Sequence, residues 1–323
     1  MRRLSKYSSL LIAIFSLLSF TIPARAQEAS PPLKVDARNQ TTVRLNLLVL
    51  DGKNNSVTDL RQDDFQVFEG DAPQTISFFS KEDMPVSYGL LIDSSGSLRT
   101  QFMGVLRAGR TIITGNQPND ETFLVSFVSS DRLTLMQDFT ADKDALRVQL
   151  NGIKVEGGQT AIIDAVYTAV EHLSKSKQDA GPRRRALILI TDGEDRSSAF
   201  SKEELVKLLH KSDVQIFVIG MVNELDKDSG LIRKSPREKA VKLLEEMAKE
   251  SGGYVFFARS SSDLEAIATK ITRALHTQYV IGYTPTGTAS KDSYRKVRVK
   301  LVDAPGRDKL KVIARPGYNV PRL

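Results

Sequence analysis

The run Leu90-Leu91-Ile92 ends abruptly in Asp93-Ser94-Ser95-Gly96-Ser97, and an amphipathic helix pattern follows at once, with Phe102, Val105, Leu106, Gly109, Ile112 and Ile113 on one face. A strand that empties into a helix through a polar loop puts that loop at the carboxyl edge of a sheet, where open α/β folds bind ligands. The same rhythm continues. The spacing predicts strands over 86–92, 122–129 and 133–139, the last with the polar positions of an edge, and helices over 98–115, 142–151 and 160–176. A short apolar strand over 186–191 ends in Asp192-Gly193. Ser201 with Glu204 forms a capping box, and a strand covers 215–221. Ser235-Pro236-Arg237-Glu238 starts a helix that stops at Gly252-Gly253, 254–258 is a strand, and Ser262 with Glu265 opens a last helix to His276. Apolar strands alternating with helices predict a Rossmann-like α/β domain, a mostly parallel sheet with helices on both faces, over 84–276.

The flanks are all β. Val43, Leu45, Leu47 and Val49 alternate with Thr42, Arg44 and Asn46, a half-buried strand, and strands follow near 65–69 and 76–80. The tail gives strands over 278–285, 295–301 and 310–315. Segments 41–83 and 277–320 have about 45 residues each, too few to bury a core alone. Together they have the size of an immunoglobulin-like β-sandwich. The expectation is one discontinuous sandwich into which the α/β domain is inserted; the rival arrangement is two independent β appendages.

Arg2, Arg3 and Lys6, an apolar stretch over 9–22 and Ala24-Arg25-Ala26 make a secretory signal over 1–26, with cleavage after Ala26 and a linker over 27–40. The stretch is short for a membrane span, so the mature chain is expected in the periplasm or outside the cell, with no stable span after cleavage. An uncleaved anchor is the alternative. Cleavage would remove Arg2, Arg3, Lys6 and Arg25 and no acid, taking 46 basic residues to 42 against 39 acidic and the net charge from +7 to +3. The basic character is therefore largely the leader's, and nucleic acid is not an expected partner. The chain has no cysteine, which excludes disulfides, thiolate metal sites and lipid attachment at the cleavage point.

Three carboxyl-end loops should converge: Asp93, Ser95 and Ser97 on the first; Gly157-Gly158-Gln159-Thr160 opening a helix; Thr191-Asp192-Gly193 ending the most buried strand. Two carboxylates and three hydroxyls make a hard oxygen-donor set suited to Mg²⁺, Mn²⁺ or Ca²⁺. Two carboxylates just balance a divalent charge, and in a six-coordinate site at least one position stays open to water or an acidic ligand.

These residues resemble the metal-ion-dependent adhesion site of von Willebrand factor type A domains, the pattern DxSxS…T…D. By that resemblance Ser95, Ser97 and Thr160 bind metal through hydroxyls, and Asp93 and Asp192 directly or through water, with Mg²⁺ the expected ion. V-x-D-L-x-x-x-D-F-x-V-F-E-G, G-G-Q-T-A-I-I-D-A, Q-Y-V-I-G-Y-T-P and Y-R-K-V-R-V further resemble an exported bacterial, acidobacterial-type family of such proteins. The resemblance implies a non-enzymatic binding protein whose metal takes an acidic group of a protein or matrix partner. An envelope assembly or maturation factor is one alternative and a metal-dependent hydrolase another. Against the hydrolase, the chain has no G-x-S-x-G, P-loop or H-E-x-x-H, and Ser95 and Ser97, though beside carboxylates, have no His or Lys general base in the motif.

Asp164, one turn after Thr160, is a candidate to act behind the metal ligands, and Glu194 and Asp195 are expected to be solvated loop acids. Asp226-Lys227-Asp228-Ser229-Gly230 begins like a calcium loop but has Arg237 where the twelfth-position Glu belongs, and is expected to be a disordered insertion. Arg183-Arg184-Arg185 reads as a solvated strand entrance. His172, His210 and His276 are expected to be structural, and Phe78-Phe79 and Phe256-Phe257 to be core.

Overall fold

The computed structural model describes residues 42–81, 83–175, 182–223, 225, 235–286 and 293–320, all within one compact unit. The leader and linker over 1–40 and the loop over 226–230 lie outside the described residues. At the centre is a six-stranded sheet of β5 (Val86–Asp93), β6 (Glu121–Phe127), β7 (Leu133–Thr140), β8 (Arg184–Thr191), β9 (Gln215–Gly220) and β10 (Tyr254–Phe257). Its order is β10-β9-β8-β5-β6-β7, parallel except for β7, the antiparallel edge. Side chains alternate faces along a strand. Tyr88, Leu90 and Ile92 of β5 therefore join one core with helices α1 (Phe102–Thr114), α2 (Lys143–Gly152) and α6 (Leu264–His276). Leu91 joins the other, with α3 (Ile162–Lys175), α4 (Lys202–Lys211) and α5 (Pro236–Ser251).

Gly89 of β5 is where Phe123 lies closest: a Cβ there would stand 2.2 Å from the ring. Helix ends follow the sequence signals in part. Ser201 and Glu204 cap α4 reciprocally, Ser235 caps α5 with Pro236 at its first position, and Gly252 ends α5 at φ 76°. Two expectations fail. α1 begins at Phe102, not 98, because Gly96–Leu98 forms a separate 3₁₀ turn. Ser262 does not cap α6: it sits inside the 3₁₀ turn Ser261–Asp263, where its hydroxyl bonds Ser260 (2.7 Å), and the cap position is Asp263.

The two ends of the chain share two further four-stranded antiparallel sheets. The head supplies β1 (Val43–Leu50), β2 (Phe65–Glu69), β3 (Ala72–Gln74) and β4 (Ile76–Ser80); the tail supplies β11 (Tyr279–Tyr283), β12 (Tyr294–Leu301), β13 (Lys311–Ile313) and β14 (Gly317–Asn319). The orders are β13-β1-β11-β4 and β14-β12-β2-β3, so each sheet takes two strands from each end. Leu45, Leu47, Tyr279, Ile281 and Tyr283 of the first meet Phe65, Val67 and Val297 of the second in one core. Leu48 and Leu50 of β1 and Ile313 of β13 point the other way, into the α/β core that holds α6. β1 is thus buried on both faces at its end, where the head sequence loses its polar alternation. These pairings give two sheets with a shared core. Phe79 packs against that core, whereas Phe78 lies half-buried beneath the Arg44 guanidinium, 4.9 Å from its ring centre, because adjacent residues of a strand face opposite ways. Among the described residues no helix is long and apolar enough to cross a membrane.

Candidate metal centre

The strand order puts the loops after β5 and β8, neighbours in the sheet, side by side. Asp93, the last residue of β5, is fully buried, and its Oδ2 accepts the Thr191 hydroxyl at 2.6 Å from the end of β8. Its Oδ1 accepts the Ser95 amide at 3.0 Å, and the hydroxyls of Ser95 and Ser97 are 3.0 Å apart. Asp192 is buried as well; one oxygen accepts the Glu194 amide at 3.0 Å, while Oδ2 is buried and accepts no hydrogen bond among the described residues. Thr160, also buried, comes in through its backbone: its carbonyl accepts the amides of Arg196 (2.8 Å) and Ser197 (3.2 Å). The Glu156 amide on the same loop donates to the Ser94 carbonyl at 2.8 Å. The three loops are therefore in mutual contact.

Burial raises the Asp93 pKa, and the Asp192 carboxylate beside it raises it further; the bonds from Thr191 and Ser95 offset only part, leaving it at about 7. Asp192 is also raised, first by burial, against the pull of the Ser97 hydroxyl and the Glu194 amide. Arg196 helps Asp192 slightly, but its guanidinium is engaged with both Glu194 carboxylate oxygens at 2.6 and 2.7 Å. Two buried carboxylates thus lie beside each other with no buried cationic side chain at them among the described residues. A divalent ion fits the donor set, since it would neutralise the pair and give Asp192 Oδ2 a partner. Among the described residues no cluster of three or more His, Cys, Asp or Glu side chains is placed to hold a metal, so a cation here would depend on the hydroxyls.

The acids flanking the site have other duties. Asp164, buried in the first turn of α3, accepts the Ser130 hydroxyl and the amides of Ala199 and Phe200, each at 2.8 Å. It fastens the loop after β8, the loop that carries Asp192. Asp195 is not a solvated acid: its Oδ1 accepts the amides of Ile162 (2.8 Å) and Ile163 (3.2 Å), capping α3 from another part of the chain. Ser130 carries no motif signal, and the roles of Thr191 and Asp195 are hidden because their partners are distant in sequence. Arg184 corrects the solvated strand entrance. It is buried, donates to the Leu275 carbonyl at 2.6 Å at the end of α6, and its pKa is lowered by burial to about 10. Arg183 and Arg185 bond Asn119 and Asp213 around it. The three histidines each meet a carboxylate away from these loops: His172 with Asp138, His210 with Glu250 and His276 with Asp120.

The von Willebrand factor type A domain model matches residues 89–270. Among curated proteins, the ATP-dependent DNA helicase II subunit 2 of Aspergillus sojae is 27% identical over 189 residues, 55% of this chain and 24% of the relative. The chain thus spans about a quarter of that relative's length. Among solved structures, the von Willebrand factor type A protein from Catenulispora acidiphila is 13% identical with a TM-score of 0.49, covering 89% of this chain and 76% of the other. Proximal thread matrix protein 1 of the mussel byssus, with a zinc-occupied MIDAS motif, is 19% identical with a TM-score of 0.47, covering 64% and 49%.

Proposed function

For this chain, which belongs to the von Willebrand factor type A domain family, we propose the role of an exported, non-enzymatic binding protein that holds a divalent cation and offers it to an acidic partner. Asp93, Ser95, Ser97, Thr160 and Asp192 hold the ion, with Mg²⁺ the expected species. The observation that carries this reading is the pair of buried carboxylates, Asp93 and Asp192, brought side by side with the Ser95 and Ser97 hydroxyls, with Asp192 Oδ2 buried and accepting no hydrogen bond among the described residues. With only two carboxylates against a divalent charge, the ion remains electrophilic toward a further anion. A carboxylate from a protein or matrix partner fills that position.

Hydrolysis has less behind it. The Ser95 and Ser97 hydroxyls lie 3.0 Å apart, Ser95 beside Asp93 and Ser97 beside Asp192, and among the described residues each histidine is bound to a carboxylate elsewhere rather than to either serine. The two β sheets, taken as an immunoglobulin-like sandwich, position the α/β domain through the packing of Leu48, Leu50 and Ile313. Crosslinking and pull-down from the native envelope test the reading. A partner should be captured in Mg²⁺ and lost both in chelator and with Asp93→Ala. The same proteins captured in all three conditions would contradict it, and a stable set of immature envelope clients would favour an assembly factor.

A further inference from the structure

The loop that joins β6 to β7, residues 128–132, lies at the same edge of the sheet and belongs to no part of the DxSxS…T…D pattern. It nevertheless touches every loop that does, together with the end of β6. Ser94, between Asp93 and Ser95, donates its amide to the Phe127 carbonyl at 3.0 Å, and its hydroxyl lies 2.9 Å from that of Ser126. Val128 accepts the Ala161 amide at 2.8 Å, the residue after Thr160. The Arg132 guanidinium lies over Gly158: a Cβ there would be 2.1 Å from Arg132 Nη2 and 2.7 Å from Val128, on a residue whose φ of 152° already favours glycine. Arg132 Nη1 is 3.5 Å from the Glu156 carboxylate, and its Nε donates to the Ser129 hydroxyl at 3.0 Å. On the other side, the Ser130 hydroxyl reaches both the Ser197 carbonyl at 2.8 Å and Asp164. One short turn therefore grips the Thr160 loop with Arg132 and the Asp192 loop with Ser130.

We propose that Ser130 and Arg132 are positioning residues for the metal centre: they set the relative placement of Thr160 and Asp192, and hence the affinity for the cation, without donating an atom to it. The inference rests on the metal reading given above. Residues that orient ligands from behind typically change metal affinity by 10–100-fold when removed. Both side chains lie at the surface, with Arg132 40% exposed, so neither is needed to fill a core.

The test is calorimetric titration of the full mature chain with Mn²⁺, alongside urea unfolding in chelator, for the wild type, Ser130→Ala, Arg132→Ala and Ser130→Thr. Ser130→Ala and Arg132→Ala should each weaken Mn²⁺ binding on the order of tenfold. The urea midpoint of Arg132→Ala in chelator should stay near that of the wild type, and Ser130→Thr, which keeps the hydroxyl, should restore affinity. A wild type that binds Mn²⁺ with both alanine variants unchanged overturns this inference alone. Affinity lost only in step with the urea midpoint, with no recovery in Ser130→Thr, overturns it too. A wild type that binds no Mn²⁺ overturns the metal reading and this inference with it.

Discussion

Asp164→Asn isolates the clamp between α3 and the loop that carries Asp192. The substitution is isosteric, so it opens no cavity. Oδ1 can still accept the Phe200 amide, but an amide NH₂ now stands where Oδ2 accepted the Ala199 amide at 2.8 Å and the Ser130 hydroxyl. The Ala199 amide then meets a donor, while the Ser130 hydroxyl can turn its proton to the Ser197 carbonyl and accept from the new NH₂. Hydrogen bonds to a charged acceptor contribute about 1.5–3 kcal/mol each and neutral ones about 0.5–1.5, so losing the Ala199 bond and weakening those of Phe200 and Ser130 makes the full loss about 3–6 kcal/mol. Ala199 and Phe200 are exposed residues, however, and Ser130 lies at the surface, so the freed groups can turn to water. The expected cost is therefore about 2–3 kcal/mol, read as a lower urea midpoint at unchanged slope in chelator. A variant within about 0.5 kcal/mol of the wild type would refute the assignment of Asp164 as a clamp, since surface substitutions away from such features fall in that range.

Gly89→Ala should destabilise by about 1–3 kcal/mol in thermal unfolding, because the new methyl meets a fully buried Phe123 ring held against Phe139 and His172; a neutral result would mean that this core yields. The pair at the opposite end of the sheet should respond to pH. Burial lowers the His276 pKa, but bonds to Asp120 (2.8 Å) and the Thr272 carbonyl (2.9 Å) outweigh it and leave it raised above 6.5. Burial likewise works against Asp120, whose bonds from His276, Gln117 and Val86 bring it below 3.8. The contribution of His276 is then full below pH 6.5 and lost as pH rises through its raised value, and that of Asp120 is full above pH 3.8 and lost as pH falls through its lowered value. Urea midpoints across pH 5–9 should fall on the alkaline side in the wild type, and this component should vanish in His276→Gln; an unchanged alkaline slope in that variant would assign it elsewhere.

The α/β domain was legible because each of its signals is local. An apolar run such as 186–191, a capping box at Ser201 and a Pro after Ser235 each fix an element without reference to the rest of the chain. The five candidate ligands were legible for a related reason: the end of a buried strand and the start of a helix determine where a loop lies. What stayed hidden depends on partners far apart in sequence. Asp195 is six residues before Ser201, the α4 cap, yet it caps α3, more than thirty positions back. Asp164 has the look of a helix-surface acid until Ala199 and Phe200 arrive at its oxygens. Arg184 looks solvated within a triplet of arginines until α6 ends against it. The strand order of the two outer sheets is of the same kind, since no feature of β1 alone says that β11 and β13 will flank it.

The most direct test of the central claim is calorimetric titration of the purified protein with Mg²⁺ and Mn²⁺, repeated with Asp93→Ala and Asp192→Ala. The account predicts one cation bound per wild-type chain and binding lost in both variants. Wild type and variants binding alike, or none binding, would contradict it.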